Sequence, residues 1–165
     1  MVPMKSPTDS WGGSTPASLR LSLALTKRSS MLADSWVRFL SEPSAIMDLY
    51  DSPPELNRCG LYYVHIDERA CSVTLGFETS YLPARPHREW QAKDFNTFQF
   101  YLQFDAASQL YVTGWNAPAQ KAVLMSGRDD GRLRFSACGP GSLIEFTAAQ
   151  VGVTRTRTYL ASAAP

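Results

Sequence analysis

The sequence predicts a mainly β (α+β) domain: a curved antiparallel meander of about eight strands that forms a half-barrel or a two-layer sandwich. Two observations lead to this fold class. Short segments with apolar residues at alternate positions recur along the chain, and most links between them have the length of a hairpin turn. In addition, no strand alternates with a long helix, as it would in a βαβ protein. One or two N-terminal helices are expected to pack on the sheet.

The clearest strand is TFQFYLQF, residues 97–104, in which three Phe and one Leu occupy alternate positions. Their period of two places them on one face of a sheet, and we predict that this face is core. The run LYVTGW repeats the alternation after the polar link DAASQ. We therefore predict a hairpin in which Phe104 faces Leu110 and Leu102 faces Val112.

The other side of this predicted hairpin carries a second group of large aromatic residues, namely Trp90, Tyr101, Tyr111 and Trp115. If a second layer of the protein covers them, they belong to the core. If nothing covers them, they form an exposed aromatic patch of the kind that marks a protein interface. The sequence leaves both interpretations open.

The first thirty residues, 1–30, are rich in Ser, Thr, Pro and Gly. Such a composition buries too little apolar surface to offset the entropy of ordering the chain, so it predicts a flexible N-terminal extension. Met31 is an alternative start of the protein. Residues 31–161 are expected to form a single globular domain.

Two helices are predicted between this extension and the first strand. Ser30 is a suitable N-cap for the first helix, whose apolar stripe at helical spacing is Leu32, Trp36, Phe39 and Leu40. Pro43 opens the second helix, SAIMDLY, whose buried side is Ile46, Leu49 and Tyr50. Pro53 and Pro54 then end the helical structure.

Three further patterns complete the predicted sheet. The runs CGLYYVHI and CSVTLGF form a hairpin whose inward face is Cys71, Val73, Leu75 and Phe77. KAVLMS and RLRFSA flank the turn GRDDG, which brings together apolar side chains from both strands, Val123 and Met125 against Phe135 and Leu133. The last strand, VTRTRTYLA, has a weak apolar face and is predicted to be an exposed edge.

Composition and charge exclude several classes of protein. The formal net charge is +1 and the Arg residues are spread along the chain, whereas a nucleic-acid-binding protein shows a strong basic excess or a basic stripe. Three Cys without CxxC spacing predict free thiols in a reducing cytoplasm. No apolar run approaches the ~20 residues that span a bilayer. We therefore expect a cytoplasmic protein with neither a nucleic-acid nor a membrane partner.

The sequence holds few residues for chemistry, since His65 and His87 are its two histidines. His65 beside Asp67 suggests a base with an orienting acid, but a strand-end His next to turn acids is more often a solvated group. His87, Glu89 and Asp94 lack a recognised metal-ligand spacing. The sequence therefore predicts no catalytic residue, no metal site and no cofactor.

Residues 31–56 are locally acidic, with five acids against one base. A solvated helix face is the usual explanation, and a recognition surface for a basic partner is the alternative. The candidate partner-binding residues combine these acids with the aromatic patch: Asp48, Asp51, Glu55, Trp90, Tyr101, Tyr111 and Trp115.

The chain from Met31 to Tyr159 resembles the immunity protein 50 (Imm50) family, which is associated with bacterial polymorphic toxin systems. An ordered set of short matches carries the resemblance: SWVRFLSEPSAI, LYYVHIDERACSVTLGFET with the LP that follows, EW, FNTFQFYLQF, GW and FTAAQVGVTRTRTY. Their order and spacing extend over about four-fifths of the chain. No functional residue is carried over from the family.

This resemblance implies a protein that binds and neutralises a cognate toxin domain without catalysis, and we expect it to be a monomer. Two other functions stay open. One is a small-ligand-binding protein or enzyme with a pocket under the Pro-rich loop of residues 80–90, near His87 and Trp90. The other is a structural module that self-associates through its edge strand.

Overall fold

The computed structural model describes residues 35–114 and 119–162. Within these ranges the predicted mainly β fold is confirmed, in its two-layer form, with two antiparallel sheets that are not closed into a barrel. The predictions for the 1–30 extension, for Met31 as the start, and for Leu32 and Trp115 lie outside the described residues. No helix in the described part of the chain is both long and apolar enough to cross a membrane.

The larger sheet has five strands in the order β5-β1-β2-β3-β9. Its strands are β1 Gly60–Asp67, β2 Ser72–Thr79, β3 Thr97–Asp105, β5 Ala119–Gln120 and β9 Gln150–Tyr159. The smaller sheet has four strands in the order β4-β8-β7-β6. Its strands are β4 Ser108–Thr113, β6 Ala122–Gly127, β7 Leu133–Gly139 and β8 Ser142–Ala148. The predicted edge position of the last strand is confirmed, because β9 lies at the end of the five-stranded sheet.

Helical structure is short in the described ranges. It consists of two 3-10 helices and two α-helices: Trp36–Phe39, α1 Ser44–Met47, Leu56–Arg58 and α2 Arg88–Gln91. The second predicted helix, SAIMDLY, is shorter than predicted because α1 ends at Met47, but its predicted buried residues Ile46, Leu49 and Tyr50 expose 1% or less of their surface.

The predicted first helix is wrong in its described part, because a single 3-10 turn replaces it. The backbone becomes extended at Leu40, which forms a parallel bridge to Val151 on β9, and Ser41 N–H donates to the Val151 carbonyl at 2.8 Å. Hydrogen bonding to the edge strand thus stabilises an extended conformation at Leu40 and Ser41, where the pattern predicts a helix. Trp36 and Leu40 are nevertheless buried, as the apolar stripe predicts.

The core lies on the inner face of the five-stranded sheet, and two different layers cover it. At one end, Phe104 of β3 contacts Phe135 and Phe146 of the four-stranded sheet, with ring centroids 5.1 and 5.0 Å apart. At the other end, Trp36 stacks on Phe100 at 5.6 Å and Tyr50 packs edge-on against Phe98 at 5.5 Å. The predicted Phe face of β3 is therefore core along its whole length.

The predicted pairing of Phe104 with Leu110 and of Leu102 with Val112 is wrong. Both neighbours of β3 are other strands, since Leu102 faces Leu75 on β2 and Val153 on β9. The link after β3 carries the chain into the second sheet, where β4 pairs with β8. Alternation identifies the buried face of a strand, but it does not identify the strand's partner.

The two other predicted hairpins form, with small differences. Strands β1 and β2 pair as predicted, but Cys71 is exposed in the turn at a φ of 49° and does not join the inward face. Strands β6 and β7 also pair, with Met125 opposite Phe135, whereas Val123 lies opposite Ala137. The register is therefore shifted by two residues from the predicted one.

Candidate protein-binding surface

The outer face of the five-stranded sheet carries a row of residues that is centred on Gly76 of β2. Across the sheet this row runs Tyr63, Gly76, Tyr101 and Arg155, as the strand register shows. Because side chains alternate along a strand, these residues point away from the Phe core. The surface is open at this row, since Tyr63 exposes 40% of its surface and Arg155 is exposed.

An irregularity in β1 places two consecutive tyrosines beside this row. The register with β2 shifts between Leu61 and Tyr63, so that Tyr62 is an extra residue opposite Gly76. A Cβ atom at Gly76 would lie 2.8 Å from Tyr63 Cβ, 3.1 Å from Tyr101 Cε1 and 3.2 Å from Tyr62 Cζ. The missing side chain is therefore what allows three tyrosines to pack together on the sheet.

These aromatic side chains support one another. The Tyr62 hydroxyl donates to the Tyr101 hydroxyl at 2.6 Å, and the Tyr63 ring packs edge-on against Tyr101 at 5.5 Å. His65 stacks on Tyr63 at 6.4 Å. Burial raises the pKa of Tyr62 above its ordinary value, and the hydrogen bond with Tyr101 raises it further. The Tyr62 hydroxyl is therefore a neutral donor at physiological pH.

A second row, next to the first, is held by a buried amide. Gln99 exposes 3% of its surface, and its Nε2 donates to Glu78 Oε2 at 3.1 Å. Its Oε1 accepts a hydrogen bond from Arg157 Nε. Tyr159 also donates its hydroxyl to Glu78 Oε2, at 2.9 Å. Gln99 thus fixes the Arg157 guanidinium on the sheet surface, while Glu78 has two donors of its own.

We call this surface the tyrosine face, and its members are Tyr62, Tyr63, His65, Tyr101, Arg155 and Arg157. It combines aromatic rings, which supply large contact areas at low entropic cost, with guanidinium groups, which bind carboxylates through two parallel hydrogen bonds. Both residue types are enriched at the centres of protein interfaces. The chemistry that this arrangement supports is therefore recognition of another protein.

The acids predicted for partner binding lie around Arg85 and Arg58. Arg85 forms an ion pair with Asp51, and its Nε donates to the Asp48 carbonyl at 2.9 Å. Glu55 pairs with Arg58 at 3.1 Å. Arg85 also donates to the carbonyl groups at the end of α1, those of Met47 and Tyr50. This part of the chain is therefore less negative than its sequence indicates.

The aromatic residues predicted for partner binding do not share one face. Trp90 is half-buried and packs against Phe98 at 6.0 Å, at the edge of the core. Tyr101 lies on the tyrosine face. Tyr111 exposes 57% of its surface and lies opposite Glu145, on the outer face of the four-stranded sheet. Tyr101 and Tyr111 are thus on opposite sides of the sandwich.

The loop that contains His87 borders an open groove of about 320 Å³ between α1 and the edge strand β9. His87 packs against Trp90 at 4.5 Å, and Trp90 faces the core beyond it. Among the residues that the structure describes, no three His, Cys, Asp or Glu side chains are grouped to hold a metal ion. The three cysteines are free, and burial raises the pKa of the Cys59 thiol to about 12.

Sequence reasoning missed most of the tyrosine face, although three signals for it are present. Tyr62 and Tyr63 are consecutive in a strand, which is typical of a bulge when both are on one side. Gly76 interrupts an otherwise apolar strand, and a glycine there indicates a close approach. Arg155 and Arg157 have a spacing of two, which places both on one face of β9.

Comparison with known proteins gives one family. The immunity protein 50 family matches residues 42–159, which include both sheets and the tyrosine face. No curated protein and no solved structure matches the chain. The match spans most of the chain and confirms the resemblance found in its motifs. The chain therefore belongs to the immunity protein 50 family.

Proposed function

We propose that this protein is an immunity protein that binds a cognate toxin domain and neutralises it without catalysing a reaction. The observation that supports this proposal is its membership of the immunity protein 50 family over residues 42–159. An inhibitor of this kind needs a rigid surface that complements its partner, and it needs no reactive group. The tyrosine face is a surface of that type.

The size of the domain is sufficient for such an inhibitor. A stable protein complex buries roughly 800 Å² on each partner, and the protein exposes 11443 Å² in total. A docked toxin domain would therefore cover a small part of this surface. Of the partner-binding residues that the sequence predicts, Tyr101 lies on the tyrosine face. Tyr101 stays a prediction as a contact residue, and so do Asp48, Asp51, Glu55, Trp90, Tyr111 and Trp115.

We further propose that the protein acts in the cytoplasm as a monomer. Its three cysteines are unpaired, which is typical of a reducing compartment.

Co-expression tests the proposed function. The probe is the toxin domain encoded beside this gene, expressed from an inducible promoter in cells with and without the immunity protein. We expect the immunity protein to restore growth, and we expect an inactive variant of the toxin to co-purify with it. Growth that stays blocked at full expression of the folded immunity protein, together with no complex in vitro, would refute the proposal.

A further inference from the structure

We infer that the tyrosine face is the surface on which the toxin domain docks, and that the toxin presents carboxylate groups to Arg155 and Arg157. This inference rests on the proposed function and adds to it a place on the molecule and a chemistry for the partner. Three observations support it: the rigidity of the aromatic cluster, the charge of the surface around it, and the contrast with the opposite side of the sandwich.

The aromatic cluster is ordered before any partner binds. Tyr62 and Tyr101 are joined by a hydrogen bond of 2.6 Å, and their rings and that of Tyr63 pack over Gly76. Ordering a long side chain on binding costs conformational entropy, and side chains that are already fixed avoid this cost. The three rings therefore offer a contact area whose burial by a partner is opposed by little entropy.

The charges on this face call for a partner with acidic groups. Arg157 is oriented by Gln99, and Arg155 forms no ion pair with any residue in the described ranges. The nearby acid, Glu78, already accepts hydrogen bonds from Gln99 and Tyr159. Both of these donors are neutral and leave the negative charge of Glu78 in place, but the two guanidinium groups outnumber this carboxylate and keep the face positive. A carboxylate matches the paired N–H donors of a guanidinium group.

Other acids lie near the limits of this face and do not change its sign at the centre. Asp67 accepts hydrogen bonds from two backbone N–H groups in the turn after β1. Asp105 accepts from the amides of Gln103 and Gln150, both at 2.9 Å. Glu42 and Asp48 line the groove beyond β9 that Arg155 also borders. The carboxylates of the toxin are therefore expected over the sheet, and not beyond its edge.

The outer face of the four-stranded sheet differs in both respects. Its arginine, Arg134, is already paired with Glu145 at 2.8 Å. Its most exposed large side chains, Tyr111 of β4 and Leu124 of β6, lie on opposite edges of the sheet, with β8 and β7 between them. In the described residues, no ring contact joins an aromatic side chain of this face to another. Of the two outer faces, the tyrosine face is thus the one with packed aromatic rings and with guanidinium groups outside ion pairs.

Paired substitutions on the two faces test the inference. Tyr63→Ala and Arg155→Glu alter the tyrosine face, while Leu124→Ala and Arg134→Glu are matched changes on the other sheet. Arg134→Glu removes a partly exposed ion pair with Glu145, and such pairs contribute little to stability, so the variant is expected to fold. All four proteins are titrated with the inactive toxin domain by calorimetry, and thermal unfolding of each confirms that it is folded.

We expect Tyr63→Ala and Arg155→Glu each to weaken toxin binding about tenfold or more, as residues at the centre of an interface do. The two control variants should bind within about threefold of the wild type. Wild-type affinity in both tyrosine-face variants would overturn this inference and leave the proposed function intact. If the wild-type protein does not bind the toxin at all, the proposed function fails and the inference fails with it.

Light scattering of the wild-type protein alone tests whether a second copy of the chain, and not the toxin, binds to this face. A monomer is the expected result. A dimer that Tyr63→Ala dissociates would show that a second copy of the chain covers the tyrosine face, and would overturn its assignment to the toxin.

Discussion

The two faces of β3 show how one strand serves two purposes. On the inner face, Phe98, Phe100, Leu102 and Phe104 are completely buried. On the outer face, Tyr101 and Gln103 are half-buried. Tyr101 contacts the exposed Tyr63 of β1 and lies opposite the exposed Arg155 of β9. Because adjacent residues point to opposite faces, a substitution at one position is expected to affect stability and a substitution at the next to affect recognition. The following predictions test that division, from the largest expected effect to the smallest.

Phe100→Ala should give the largest loss of stability. Its ring is fully buried and stacks on Trp36 at 5.6 Å and on Phe77 at 5.6 Å, so its removal leaves a cavity between the sheet and the N-terminal segment. The expected decrease in the free energy of unfolding is about 3–5 kcal/mol. Urea denaturation followed by Trp fluorescence measures it, and a decrease below about 1 kcal/mol would contradict the assignment of Phe100 to the core.

Gly76→Ala should disturb the outer face and cost less stability. The new methyl group would lie 2.8 Å from Tyr63 Cβ, so the tyrosines have to move. We expect a loss of about 1–3 kcal/mol, as for other overpacked sites, and weaker binding of the toxin. Gly60→Ala is the control, because its methyl group would meet Glu78 Cγ at an ordinary 3.4 Å. Equal effects of the two substitutions would show that the packing over Gly76 is not special.

Alkaline pH should lower the free energy of unfolding through Cys59, which is buried in the core. Burial raises the pKa of this thiol from its ordinary 9.0 to about 12. Below pH 9 the thiol is protonated in both the folded and the unfolded chain, and stability does not depend on it. Above pH 9 it ionises in the unfolded chain alone, so the free energy of unfolding falls as the pH rises towards 12.

The Cys59 effect is measured by urea denaturation at several pH values under reducing conditions. Tyr50, Tyr62 and Tyr159 also have pKa values raised above the ordinary 10.0 and begin to contribute in the interval from pH 8 to 10, so the thiol is isolated by comparing the wild type with Cys59→Ala. Cys59→Ala should have a flatter dependence on pH in that interval. The same slope in the variant and the wild type would argue against a buried, protonated thiol.

Tyr63→Ala should have the smallest effect on stability. The side chain is 40% exposed, and the ring contacts that it loses are with Tyr62, Tyr101 and His65. The expected decrease in the free energy of unfolding is below about 1 kcal/mol, which is ordinary for a surface substitution. Differential scanning calorimetry measures it beside Phe100→Ala. A loss as large as that of Phe100→Ala would mean that both faces of the sheet act as core.

The sequence was sufficient to predict most of the buried apolar residues, because burial repeats with the period of a strand, although the predicted inward residue Cys71 is exposed. The alternation from Phe98 to Phe104 and the apolar residues Ile46, Leu49 and Tyr50 were assigned in this way. The partners of β3 were not predictable, since they lie far along the chain on β2 and β9. Pairing depends on contacts between distant segments, and alternation within one segment contains no information about them.

The candidate site was harder to predict for a related reason. Tyr101 was a candidate from its position alone, but its neighbours Tyr62 and Tyr63 reach it through an extra residue in β1 and the missing side chain of Gly76. The acids around residue 50 were candidates from their charge, and the structure places Arg85 against Asp51. An arginine more than thirty residues away cannot be assigned to these acids from the sequence.

The most direct test of the division between the two faces is an NMR titration. The protein is labelled in its tyrosine and phenylalanine rings, and the inactive toxin domain is added unlabelled. We expect the ring signals of Tyr62, Tyr63 and Tyr101 to shift or broaden at substoichiometric toxin, while those of Phe100 and Phe135 stay in place. Unchanged signals from the three tyrosines in a formed complex, with shifts confined to the four-stranded sheet, would contradict it.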